Sequence, residues 1–196
     1  MSPRLLSGRA PGRLLDPVVG TLATVGVTPM ALTVAGLAGN LAAALLIGRG
    51  ALLAGGVVML VASGFDLLDG AVARATGRAT RFGALMDATF DRFSEATVLF
   101  GVVVYETGLA NREESLLVFV ALAGSLIVPY IRARAEAEGA SPPAGVFTRP
   151  ERVVLLAAAL ISGWLRLGLW LLAILTLLTA GQRLYLAGRA LRRGVP

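Results

Sequence analysis

Residues 51–104 read ALLAGGVVMLVASGFDLLDGAVARATGRATRFGALMDATFDRFSEATVLFGVVV. Two stretches of this segment, residues 51–73 and 82–104, are mainly apolar. Each is long enough to cross a bilayer core of about 30 Å as a helix. A short turn containing Gly77 separates them, so we expect two antiparallel helices. The segment therefore predicts a helical hairpin in a membrane.

The same pattern continues on both sides of the hairpin. The 196 residues are 56% hydrophobic and 15% charged, whereas about a quarter of the residues of a soluble domain are charged. Further apolar stretches cover residues 29–47, 115–131, 152–165 and 167–186, with a brief interfacial turn around Arg166 between the last two. We therefore expect an all-α integral membrane protein, a single domain over residues 1–196 with six transmembrane helices.

A juxtamembrane segment, residues 1–27, precedes the first span. In it Arg4, Arg9 and Arg13 alternate with leucines, which predicts an amphipathic helix lying on the membrane surface. The apolar stretch is weak and no small-residue cleavage site follows it, unlike a signal peptide.

The basic residues indicate an orientation. All 18 are arginines, and the net charge is +6. A nucleic-acid interface needs such charge gathered on a water-exposed surface, for which the apolar bulk leaves little room, so we expect no nucleic-acid partner. Only three arginines lie in the alternate set of loops: Arg49, Arg112 and Arg166. The positive-inside rule therefore predicts a multi-pass protein of the cell membrane with both termini in the cytoplasm.

Four of the five aspartates lie at the facing ends of the hairpin. Asp66 and Asp69 are three residues apart, and Asp87 and Asp91 are four apart, so each pair occupies one helix face. Four ionised carboxylates cannot stay close together unless cations lie between them. Carboxylate oxygens favour Mg²⁺ or Mn²⁺ over zinc. The pattern predicts a site for two such ions on the cytoplasmic side, an arrangement that serves phosphoryl transfer.

The neighbouring residues are suited to a phosphate-containing substrate. Gly70 and Ala73 keep one helix face thin, and Arg74, Arg78 and Arg81 offer donors to phosphate. Two alternatives compete with this interpretation. The aspartates could pair with arginines and only hold helices together, or they could line the path of a cation transporter, since acids within a membrane also mark ion pathways. The crowding of the acids toward one membrane face argues against the transporter.

The hairpin resembles a known signature. DLLDGAVAR at residues 66–74 is followed after eight residues by Gly83, and then by Asp87 and Asp91 at intervals of four. This is similar in full to the signature of the CDP-alcohol phosphotransferase family. The resemblance implies six transmembrane helices, a homodimer, two metal ions held by the four aspartates, and Asp91 as general base. It also places a CDP-linked lipid against these residues: Pro29, Met30, Ala31, Leu32, Gly70, Ala73, Arg74 and Thr80.

Segments outside the signature suggest the acceptor. YIRARAE at residues 130–136, GVFTRPER at 145–152 and QRL at 182–184 resemble the actinobacterial phosphatidylinositol phosphate synthases. That resemblance implies transfer of a phosphatidyl group from CDP-diacylglycerol to inositol phosphate, whose phosphate would bind Arg132, Arg152 and Arg183. A lysine often stands at the position of Arg132 in those enzymes. A phosphatidylglycerophosphate synthase, with glycerol 3-phosphate as acceptor, and an archaeal-type ether-lipid donor remain open alternatives.

Overall fold

The computed structural model describes residues 12–140 and 145–192, and its secondary structure there is entirely helical. The helices are α1 Gly12–Val25, α2 Pro29–Gly48, α3 Leu52–Ala75, α4 Arg81–Gly108, α5 Arg112–Ala137, α6 Arg149–Ser162 and α7 Leu165–Arg192. The predicted all-α class is confirmed.

Local capping residues set the helix boundaries that hydropathy had left approximate. Thr28 and Thr80 cap α2 and α4, and their hydroxyls accept hydrogen bonds from backbone N–H groups of the first turn. Thr148 and Glu151 form a capping box, so α6 begins three residues before the predicted span. Gly163, with φ 75°, ends α6 in the left-handed conformation. As a result α7 begins at Leu165, before the predicted start at residue 167.

Within the described residues, four helices are long and apolar enough to cross a membrane, namely α2, α3, α5 and α7. The other two predicted spans fall short for different reasons. The predicted span on α4 carries Asp87, Asp91, Arg92 and Glu95 among its apolar residues. α6 has 14 residues, fewer than the roughly 20 that a bilayer core requires. The structure therefore has the character of a membrane protein with four evident spans.

The packing of α2 differs from the simple hairpin predicted for α3 and α4. α2 packs along both of these helices, whereas α3 and α4 make only slight direct contact. Small residues permit the close approach, because a Cβ built on Gly101 of α4 would lie 2.5 Å from the carbonyl oxygen of Ala44 in α2. α6 packs against α3 and α7, and α5 packs against α7. The acidic ends of α3 and α4 therefore face each other across a gap that α6 can reach.

The N-terminal helix α1 packs on α3, where Val19 is buried with Leu32 and Val72. It covers the second half of the predicted juxtamembrane segment, while residues 1–11 lie outside the described residues. A helix is therefore present where one was predicted, beside the acidic end of α3, and its position on a membrane surface stays a prediction.

Candidate active site

The structure brings the four predicted metal ligands to one end of the helix bundle. Asp66 and Asp69 lie on α3, and Asp87 and Asp91 lie on α4. Asp66 and Asp91 bond to the same guanidinium group, and Asp69 and Asp87 line the same cavity. Two helices that hardly touch thus present their carboxylates to a shared space.

Arg149 joins the two acidic helices. Its Nη2 donates to Oδ2 of Asp66 at 2.6 Å, and its Nη1 lies 2.8 Å from Oδ1 of Asp91. Arg149 is the first residue of α6, and the capping box fixes the direction in which that helix starts. Charge-assisted hydrogen bonds of this length are among the strongest in proteins. Arg149 therefore ties α6 to both carboxylate pairs.

Sequence reasoning did not select Arg149 as a site residue, because nothing in its local spacing links it to acids 58 and 83 residues away. It also missed Thr33, whose hydroxyl donates to Oδ2 of Asp69 at 2.6 Å. Asp69 is only 4% exposed, so this bond satisfies a buried carboxylate. The available signal was a threonine within a mainly apolar span, where a polar side chain usually forms a hydrogen bond.

The donor chemistry of the site suits a hard divalent cation, since all four side chains are carboxylates. Within residues 12–140 and 145–192, no three His, Cys, Asp or Glu side chains are yet close enough together to hold a metal ion. Arg149 engages two of the four acids instead, so pairing of the aspartates with an arginine, the first alternative raised by the sequence, is observed for Asp66 and Asp91. A metal ion and this arginine would share the same carboxylates.

Beside the carboxylates lies a cavity of about 330 Å³. Six of the eight residues predicted to contact a CDP-linked lipid line it: Pro29, Met30, Gly70, Ala73, Arg74 and Thr80. Ala31 and Leu32 do not line it. Leu32 is buried against Val19 and Val72, while Ala31 lies in the first turn of α2 and is exposed. The cavity also includes Arg78, so two cationic side chains are available to a pyrophosphate there.

The three arginines predicted to bind an acceptor phosphate lie near one another, since Arg132 and Arg152 are close enough to Arg183 to repel its charge. Their partners differ. Arg132 is exposed and pairs with Glu136 at 2.7 Å, and Arg152 is buried against Glu95. Arg183 is buried and donates only to a backbone carbonyl, that of Val128 at 3.3 Å, while its Nε has no partner in the described part of the chain. Arg183 is thus the least satisfied of the three cations.

The sequence that builds this site matches a known protein family. The model of the family described as CDP-alcohol phosphatidyltransferase matches residues 26–181. The chain belongs to the CDP-alcohol phosphatidyltransferase family. The match spans the carboxylates, the cavity and all but one of the predicted acceptor arginines, and Arg183 follows two residues after its end.

Curated members of this family include close relatives of the chain. The phosphatidylinositol phosphate synthase of Mycobacterium marinum is 40% identical over 92% of this chain and 82% of that protein. The archaetidylinositol phosphate synthase of Pyrococcus horikoshii is 36% identical over 92% of this chain and 94% of that protein.

Crystal structures of a third family member, the phosphatidylinositol phosphate synthase of Mycobacterium tuberculosis, share the fold at 35% identity. The structure with CDP-DAG bound superposes with a TM-score of 0.81 and covers 89% of this chain and 94% of that chain. The structure in complex with manganese and citrate gives a TM-score of 0.80 and covers 88% of each chain. The resemblance inferred from the signature is thereby confirmed.

Membership of the CDP-alcohol phosphatidyltransferase family makes the chain an enzyme and removes the reason to consider a cation transporter.

Proposed function

We propose that the enzyme transfers the phosphatidyl group of CDP-diacylglycerol to inositol phosphate, giving phosphatidylinositol phosphate and CMP. The observation that carries the proposal is the cavity in which Gly70, Arg74 and Thr80 lie beside Asp69 and Asp87. A donor bound there would have its phosphates beside carboxylates at one end of the bundle. The names of the relatives support the same substrates, as does the CDP-DAG bound in the crystal structure of the Mycobacterium tuberculosis relative.

The four aspartates would hold two divalent ions, Mg²⁺ or Mn²⁺. Support comes from the all-carboxylate donor set and from the manganese in the crystal structure of the relative. When bound, such ions polarise phosphate oxygens and stabilise the charge on the leaving group. Arg149 keeps the negative charge of Asp66 and Asp91 balanced from the α6 side.

Asp91 would act as the general base. Its Oδ1 is held by Arg149, and its Oδ2 lies 3.6 Å from the guanidinium of its neighbour Arg92. A carboxylate oriented in this way can take the proton of the acceptor hydroxyl. The acceptor oxygen then forms a bond with the phosphorus on the lipid side of the pyrophosphate, and the bond from that phosphorus to CMP breaks.

Arg132, Arg152 and Arg183 would bind the phosphate of the acceptor. A phosphate monoester carries nearly two negative charges, so it requires a cationic pocket. Arg183 supports this role most directly, because it is buried beside two other cations without a carboxylate partner among the described residues. Arg132 contributes from the exposed side, where an acceptor phosphate can replace Glu136 as its partner.

For the arrangement in the cell, we propose six transmembrane helices in the plasma membrane, with both termini and the active site in the cytoplasm, and a homodimer. α4 and α6 would complete the six spans, because both pack into the bundle with the four evident ones. Asp91 and Glu95 of α4 pair with arginines of α6 instead of facing lipid.

The experiment that tests the function measures CMP release by the purified protein with CDP-diacylglycerol and Mg²⁺. Inositol phosphate, glycerol 3-phosphate and unphosphorylated inositol are compared as acceptors, and Asp91→Asn serves as the inactive reference. We expect release with inositol phosphate alone. Release with glycerol 3-phosphate would keep the chemistry and replace the acceptor, and full activity of Asp91→Asn would remove the general base.

An ether-linked CDP-archaeol analogue belongs in the same assay as an alternative donor. The relative from Pyrococcus horikoshii is named for an archaetidyl product and covers nearly the whole chain. A higher kcat/KM for the ether-linked donor would change the lipid that we assign.

A further inference from the structure

Glu95 is a partly buried acid that the family signature does not include. It lies on α4, four residues and about one turn beyond Asp91, on the same face of the helix. Arg152 of α6 holds it with two parallel bonds, from Nε to Oε1 at 2.6 Å and from Nη2 to Oε2 at 2.9 Å. The side chains of Arg152 and Glu95 are 5% and 12% exposed. This is a bidentate, almost fully desolvated ion pair.

A buried ion pair needs a reason other than stability. Removing both charges from water costs about as much as their attraction returns, and apolar residues of similar size often serve a fold equally well. The pair also has little room to rearrange. The cavity beside it has a volume of about 20 Å³, enough for about one water molecule, and is lined by Asn40, Ser63 and Ser94. Arg152 is therefore fixed in a single orientation.

The pair lies in register with the active site. Arg149 and Arg152 are three residues apart on one face of α6, while Asp91 and Glu95 are four apart on one face of α4. Arg149 bonds to Asp91, and Arg152 bonds to Glu95. The two ion pairs lie about one helical turn apart along α4 and α6. A shift of the Arg152–Glu95 pair would therefore be transmitted to the Arg149–Asp91 pair.

We propose that Glu95 is a positioning residue for acceptor binding, which acts by fixing the guanidinium of Arg152. This inference rests on the proposed function, because Arg152 is one of the three arginines assigned to the acceptor phosphate. Glu95 engages Nε and Nη2, and the remaining nitrogen, Nη1, has no partner among the described residues. Glu95 thus leaves one donor of Arg152 for the acceptor and holds it in place.

The direction in which the KM for the acceptor changes on loss of Glu95 distinguishes a positioning role from a simple effect of charge. If Glu95 only contributed negative charge, its loss would make the pocket more positive and lower the KM for a phosphorylated acceptor. If Glu95 orients Arg152, its loss frees the guanidinium and raises that KM. The loss of one well-oriented charged hydrogen bond corresponds to a change of about tenfold or more.

The test uses Glu95→Gln in the full-length protein, with saturating CDP-diacylglycerol and varied inositol phosphate. We expect a KM for inositol phosphate at least about tenfold higher, with an unchanged Kd for CDP-diacylglycerol, because Glu95 does not line that cavity. The matched control is Glu138→Gln, which removes an acid from an exposed pair with Arg134 and should keep wild-type values. A lower or unchanged KM in Glu95→Gln would overturn the proposal.

A double-mutant cycle tests whether Glu95 acts through Arg152. The double variant Glu95→Gln with Arg152→Gln should have the KM of Arg152→Gln alone, because the arginine to be positioned is already absent. Additive effects would show that Glu95 acts by another route. A wild-type KM in Arg152→Gln would instead remove this arginine from the proposed function, and the positioning role with it.

Folding is monitored in the same samples through CDP-diacylglycerol binding and monodispersity in detergent. Should Glu95→Gln fail to fold, Glu95→Asp retains the charge and shortens the side chain by one methylene. It should raise the KM by a smaller factor, and a wild-type KM in that variant would contradict positioning. A wild-type enzyme that uses only glycerol 3-phosphate would change the acceptor in the proposed function and leave the cycle measurable with that acceptor.

Discussion

Gly36 of α2 packs against the carboxylate of Asp66 on α3, and no room is left between them for a larger side chain. A Cβ built on Gly36 would lie 2.6 Å from Oδ1 of Asp66 and 3.2 Å from the backbone oxygen of Ala62. The Gly36→Ala variant therefore forces a predicted metal ligand to move or pushes two helices apart. Since the Ala62 oxygen belongs to the backbone, we expect the side chain of Asp66 to yield first.

The required displacement can be read from the structure. Ordinary van der Waals contact begins at 3.4 Å, so the carboxylate oxygen must move by the difference between 3.4 and 2.6 Å, about 0.8 Å. A misplacement of about 1 Å in a catalytic constellation can cost roughly 100-fold in rate. We expect kcat to fall by about tenfold to 100-fold, together with a loss of stability of about 1–3 kcal/mol from overpacking.

The assay is CMP release by purified Gly36→Ala, with CDP-diacylglycerol binding as a measure of folding. Gly64→Ala is the matched control, because it also introduces alanine into a helix, and a Cβ there would meet nothing within 4 Å. Gly64→Ala should retain wild-type kcat. Wild-type activity in Gly36→Ala, or an equal loss in both variants, would refute the argument that Gly36 sets the position of Asp66.

Three further outcomes follow from the same structure. Arg149→Gln should lower kcat by about 100-fold, because it loses two charge-assisted bonds to carboxylates of the proposed metal site. Arg134→Gln, which removes an arginine from an exposed pair, should stay within about twofold in the CMP assay. Gly145→Ala should raise the KM for inositol phosphate, because its Cβ would lie 2.7 Å from Nε of Arg183, and Gly181→Ala, with nothing within 4 Å, should not. EDTA should abolish CMP release in every active variant, and added Mg²⁺ or Mn²⁺ should restore it; activity that persists without divalent ions would contradict the metal site.

Hydropathy was sufficient to find the helices but not their ends or their order in space. The apolar stretches at 29–47 and 51–73 became α2 and α3 with nearly the same bounds, because a helix that faces lipid must be apolar along its whole length. The criterion of length and hydropathy does not identify the charged α4 or the short α6 as membrane spans. Burial against other helices lets those segments carry polar residues that hydropathy alone counts against a span.

Within the site, local spacing predicted the residues that act as pairs on one helix. Asp66 with Asp69, and Asp87 with Asp91, follow directly from helical periodicity, since residues three or four apart share a face. Arg149 could not be found in this way. Its partners lie 58 and 83 positions earlier in the chain, and only the packing of α6 brings it to them. Ala31 and Leu32 show the converse, since they are adjacent in sequence to the cavity residues but point away from it.

The sequence by itself determined the membrane character, the helical class, the family signature and the identity of the four carboxylates. Each of these depends on composition or on spacing within one or two helices. The tertiary structure alone decided that α2 lies between α3 and α4, that Arg149 bridges Asp66 and Asp91, and that Glu95 holds Arg152. These contacts join residues tens of positions apart, and they depend on how closely small side chains allow the helices to approach, which no periodicity within a single helix records.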